Sequence, residues 1–154
     1  MKDTDLDELS AEKRKAWASL QERVVELALL VGGAAKYHGQ TVHLGFREWV
    51  ENKPRDTEVS PDWDCEITAK AGTGEVLVLE TFDEWESDKI VCKLTDPPAP
   101  PKLLPRRLLE AAPAVLTALA GMIKSSIVTQ IAETKKAVEA ADNAIAEVKK
   151  QFNV

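Results

Sequence analysis

A chain of 154 residues with 44% hydrophobic and 30% charged content can bury one core, or one small domain with an appendage, and is too apolar for disorder throughout. Its net charge of −6 argues against a general affinity for nucleic acid, because the one basic cluster, Lys102, Arg106 and Arg107, is too short to form a basic face. The polar, acidic start Met1-Lys-Asp-Thr-Asp-Leu-Asp-Glu lacks the apolar core of a signal peptide, and Cys65 and Cys92 form no C-x-x-C pair, so a cytoplasmic chain with two buried, inert thiols is expected.

Leu6, Leu9, Lys13, Ala16 or Trp17, Leu20, Val24, Leu27 and Val31 recur at threes and fours, which predicts a helix over 5–32. Asp5 and Glu8 are placed to form a capping box at its start, and Gly32-Gly33 to end it. Leu27-Ala-Leu-Leu-Val31 is apolar on every side, so that end is expected deep in the core.

From Thr41 the period changes to two. Val42, Leu44 and Phe46 alternate with His43, Gly45 and Arg47, predicting a strand over 41–50. Pro54 to Pro61 is a loop by its turn formers. Cys65, Ile67 and Ala69 alternate with polar residues in a second strand over 63–71. Gly72-Thr73-Gly74 is a hairpin signal. The third strand, over 75–82, carries Val76–Leu79, apolar on both faces, and should sit in the middle of the sheet with a helix over it. The acidic run Asp83–Asp88 is a turn. The fourth strand, over 88–94, holds Ile90, Cys92 and Leu94 with Lys93 as its exposed residue. Short connections make the four an antiparallel meander, and the fold class is α+β.

Asp96-Pro97-Pro98-Ala99-Pro100-Pro101 stiffens the chain and removes backbone donors. It marks a linker over 96–105 between an α+β domain over 1–95 and a helical region over 106–154. Pro105 suits the residue before a first helical turn, whereas Pro113 predicts a kink or a later start. Gly121 and Ser125-Ser126 read as a break before a last helix, which would give a helical hairpin. The alternative is one long coiled-coil-like helix.

The last segment carries the strongest pattern. Ile127, Ile131, Thr134, Val138, Ala141, Ile145, Val148 and Phe152 are spaced 4, 3, 4, 3, 4, 3 and 4, one stripe along roughly 39 Å of helix. A stripe of that length needs a partner. Its flanks, Gln130, Ala137, Ala144 and Gln151 on one side and Val128, Lys135, Asp142 and Lys149 on the other, lack the opposed Glu and Lys that specify a parallel dimer by charge. Ala137 and Ala144 widen the stripe instead, as suits a bundle. The predicted partners are helix 5–31 and helix 106–123 of the same chain, or copies from other chains. A rod left alone with wet isoleucines would take the ground from an assembly reading.

The remaining motifs are weak as chemistry. His38 and His43 have neither helix-face nor zinc spacing, so no metal site and no cofactor are expected. Trp49, Trp63 and Trp85 read as caps of a small sheet core, with an aromatic ligand site as the alternative. Asp62, Asp64, Glu66, Glu80, Asp83, Glu84, Glu86 and Asp88 lack the D-x-D-x-D-G order of a calcium loop and read as a solvated face. No serine lies in a nucleophile elbow, so no catalytic residue is predicted. The stretch 108–123 carries one charge, Glu110, among 16 residues. Its apolar side, Leu108, Leu109, Val115, Leu116, Leu119 and Ile123, reads as a buried bundle helix facing a small-residue side, with membrane association as the alternative.

These readings converge on a non-enzymatic assembly, scaffold or adaptor protein. It would self-associate, or bind a protein partner, through Ile127, Ile131, Val138, Ala141, Ile145, Val148 and Phe152. The alternatives are a membrane-acting effector using 108–123 and a small-ligand sensor using the tryptophan-rich sheet.

Overall fold

The computed structural model describes residues 3–46, 64–81, 90–98 and 102–154. Helix α1 spans Asp3–His38, and strands β1 (Val42–Gly45), β2 (Asp64–Ala69), β3 (Val76–Thr81) and β4 (Ile90–Lys93) follow, before helix α2 over Arg106–Phe152. The strands form one antiparallel sheet in chain order, so the expected α+β arrangement and meander are what the chain adopts. Trp49, Trp63, Trp85, the Pro54–Pro61 loop and the Asp83–Asp88 turn lie outside the described residues.

Alternation builds the sheet's inner face. Val42 pairs with Ala69 and Leu44 with Ile67, and across the next ladder Ala69 meets Val76, Ile67 meets Val78 and Cys65 meets Glu80. Cys65, Ile67, Ala69, Val76 and Val78 have no exposed surface. Over that face α1 contributes Val24, Ala28, Val31 and Ala35, and α2 contributes Leu108, Leu109, Ala112, Val115, Leu116, Leu119 and Ile123, in one core. Leu77, on the other face of β3, is also buried, as the doubly apolar run requires of an inner strand. In β4, by contrast, Lys93 is not alone in solvent: Ile90 and Val91 are exposed too. A register shift between Val78 and Leu79 takes Ile90 off the inward phase, which is how a bulge re-aims a strand end.

Helix α1 does not stop at Gly32-Gly33. A Cβ on Gly32 would collide with the carbonyl oxygen of Gly74, so the glycine serves close approach of α1 to the β2–β3 turn rather than termination. The end lies at Gly39, whose φ is +64°. There Gly39 N–H donates to Lys36 O at 3.3 Å and Gln40 N–H to Ala35 O at 2.9 Å, the bond pair of a Schellman cap. Asp5 and Glu8 fall inside the helix, which begins at Asp3, so they do not cap it. The apolar run 27–31 is buried on one side only. Ala28 and Val31 face the core, while Leu29 and Leu30 are 53% and 67% exposed, because 3.6 residues per turn sends neighbours to opposite faces.

Helix α2 is one uninterrupted helix of 47 residues. The expected break at Gly121 and Ser125-Ser126 is absent, and Pro113 lies inside it. Threonine hydroxyls are absorbed by the helix itself: Thr117 Oγ1 donates to Pro113 O at 2.8 Å, and Thr129 Oγ1 to Ser125 O at 3.0 Å. A single exposed glycine costs a helix only about 1 kcal/mol, less than the packing and the alanine-rich sequence around it return. Asn153, in the left-handed region at φ 55°, closes the helix.

Candidate interaction surface

The first 18 residues of α2 hold the core together with α1. Trp17 Nε1 donates to Leu104 O at 2.9 Å, and Leu104 N–H donates to Gln21 Oε1 at 2.7 Å. Two side chains of α1 thus satisfy the backbone just before α2 and set where the helix starts. Arg107, in the first turn of α2, donates from Nε to Glu80 Oε1 at 3.1 Å and lies 3.0 Å from it through Nη2, a charge-assisted tie to the end of β3. Sequence reasoning missed both anchors, and its solvated acidic face does not include Glu80, which is buried and paired with Arg107. The signal was available: Gln21 and Glu80 are polar residues standing at inward positions of otherwise apolar patterns.

Beyond Ile123 the packing ends. Ile127 is half-buried against the core, and from Val128 to the last residue every position is exposed. Ile131, Val138, Ile145, Val148 and Phe152 are between 50% and 72% exposed. A helical side chain always covers part of its own surface by lying over the preceding turn, so this is close to the bare-helix limit. The stripe lies on one continuous helix, as its spacing predicts. Neither α1 nor the first part of α2 covers it, so the expected intramolecular partners do not pack on it, and among the described residues nothing else does. Its isoleucines are wet in the single chain, the outcome set against assembly above; in a lone chain, however, such exposure speaks only to partners from within that chain, because no second copy is there to cover the stripe.

The arm over 128–152 carries four lysines and four carboxylates, so the whole net charge of −6 belongs to the rest of the protein. Thr134, the one polar residue in the stripe, donates its hydroxyl to Gln130 O at 2.8 Å, which leaves its methyl group to the stripe. Alanines at 137, 141 and 144 leave room for a second helix to approach closely.

The six residues of the membrane alternative lie elsewhere. Leu108, Leu109, Val115, Leu116, Leu119 and Ile123 are all buried in the core. Helix α2 is long and apolar enough to cross a membrane by length and composition, but inserting 108–123 would pull all six from their contacts with α1 and the sheet.

Other candidate groups stay apart. His38 stacks edge-on against Tyr37 with ring centroids 4.9 Å apart, while His43 sits 3.8 Å from Glu66 at the surface. Among the described residues no three His, Cys, Asp or Glu side chains gather as a metal site would need. Burial, helped by the charges of Asp64 and Glu80, pushes the Cys65 thiol up to about 12, and burial beside Glu80 pushes Cys92 up to about 11. Both are therefore neutral and poor nucleophiles near pH 7. They stand on β2 and β4, two strand spacings or roughly 9.6 Å apart, too far for a disulfide without backbone movement. A groove of about 480 Å³ runs between α1 and the proline-rich stretch, lined by Arg14, Ala18, Gln21, Glu22, Val25 and Pro97 among others. It contains no pairing of nucleophile and base.

Compared with protein-family models, with curated proteins and with solved structures, the chain finds no match.

Proposed function

We propose that this chain is a non-enzymatic assembly protein, a scaffold or adaptor, that self-associates through the C-terminal arm of α2. One observation carries the reading. The arm keeps a sustained 4-3 apolar stripe along roughly 37 Å of helix, with none of the described residues of its own chain packed against it. Most helical stability in proteins comes from packing an amphipathic face rather than from propensity, so a partner that covers the stripe supplies what the core does for the first part of α2. The near-neutral arm also lets two copies meet without the repulsion that the acidic body would impose.

Light scattering of the full chain and of a chain ending at Ile127 tests the reading. The cut belongs there because Leu108–Ile123 is core. The full chain is expected to associate in a concentration-dependent way and the shortened chain to remain folded and monomeric. A full chain that stays monomeric at every concentration defeats self-association. Binding of liposomes by the folded chain would instead favour the membrane reading, which needs the core to open.

A further inference from the structure

The eight stripe positions are symmetric about the middle of the arm. Ile127 and Phe152, Ile131 and Val148, Thr134 and Ile145, and Val138 and Ala141 are each equidistant from a point between Glu139 and Ala140. A two-fold axis through that point lays each residue of one copy against its counterpart on another in an antiparallel pair, large against small at the centre. Any 4-3 pattern has this property, so spacing alone leaves the orientation open. The flanks and the charge distribution decide it.

In an antiparallel pair each flank meets the same flank of the other copy. Lys135 then lies within about 3 Å of level with Asp142 of the other copy, and symmetry repeats the pair. On the second flank Ala137 faces Ala144 and Gln130 faces Gln151, so no charge is opposed by a like charge and the small residues bring the helices close. In a parallel pair the two flanks meet each other, and Lys135, Asp142 and Lys149 would face Gln130, Ala137 and Ala144, with no opposite charge in reach. A parallel pair would also set two bodies of net charge −6 side by side. The antiparallel pair holds them at opposite ends of the rod, several times the roughly 8 Å screening length of physiological salt apart. It further places Phe152, 72% exposed, against Ile127 where the other copy's arm leaves its core.

From these features we infer that a second copy of this chain is the occupant of the stripe, antiparallel, on an axis between residues 139 and 140. The inference rests on the assembly reading above. Cysteine crosslinking of the full chain tests it, using Ile131→Cys and Val148→Cys at exposed positions while the buried Cys65 and the half-buried Cys92 are left in place. Under mild oxidation an equimolar mixture of the two variants is expected to give a covalent dimer, and neither variant alone to give more than the wild type. Crosslinking of Ile131→Cys alone, with no gain in the mixture, would show a parallel pair and overturn the inference while self-association stands. Monomers by light scattering at all concentrations overturn both. The charge pair gives an independent readout: Lys135→Glu and Asp142→Lys each weaken the dimer about tenfold, and the double variant regains most of the loss. A double variant as weak as the singles counts against the antiparallel register.

Discussion

Replacing Ile145 by Ala separates assembly from folding. Ile145 is 54% exposed, so roughly half of its surface is left for a partner to cover. Full burial of such a side chain is worth about 1.5–3 kcal/mol, and the uncovered half therefore about 1 kcal/mol. Each pair of chains loses it twice, about 2 kcal/mol, or roughly 30-fold in the dissociation constant. The fold itself should hardly notice, because Ile145 touches no part of the core. Leu116→Ala is the control in the opposite sense. Leu116 is fully buried, and its truncation should cost about 2–5 kcal/mol of stability and lower the melting temperature of the monomer directly. A sedimentation or light-scattering dilution series gives the dissociation constant, and thermal melting below it gives the stability of the single chain. Unchanged association in Ile145→Ala, or a loss of monomer stability like that of Leu116→Ala, would refute the reasoning.

Three further outcomes follow from the packing. Gly32→Ala should destabilise by about 1–3 kcal/mol through its clash with the Gly74 carbonyl, while Gly33→Ala, with open space around it, should stabilise by up to about 1 kcal/mol; chemical denaturation measures both. Gln21→Leu removes the acceptor for the buried Leu104 N–H and should cost about 1–3 kcal/mol, with loosening of the start of α2 seen as faster amide exchange there. The native thiols should resist alkylation at pH 8 and react on unfolding. Because folding raises the pKa of Cys65 to about 12 and of Cys92 to about 11, their contribution to stability is complete below the ordinary thiol value of about 8.5 and is lost as pH rises through the folded values, a decline that denaturation at pH 8, 9 and 10 should register.

The residues predict regular elements well where one period runs unbroken. The 4-3 spacing to Phe152 marks a helix, and the alternation of Cys65, Ile67 and Ala69 marks a strand with its buried side correctly assigned. Glycine is ambiguous in a sequence, because the same residue serves two purposes that linear order does not separate. Gly39 supplies a left-handed helix end, whereas Gly32 supplies room for the carbonyl of Gly74, 42 residues further along the chain. The run 27–31 misled for a similar reason: composition reports how apolar a stretch is, but only the helix's phase against its neighbours says which leucines get wet.

What the amino-acid order by itself determined is that residues 127–152 form an amphipathic rod and that a four-stranded sheet stands between two helical segments, since local spacing and turn chemistry suffice for both. Only the tertiary structure decided how α2 is divided. Trp17, Gln21 and Glu80 hold its start against α1 and the sheet, and the core they complete is filled by Ile123, so the helix runs on past it with its stripe uncovered. That division follows from contacts between residues far apart in the chain, and no periodicity within a single segment carries it.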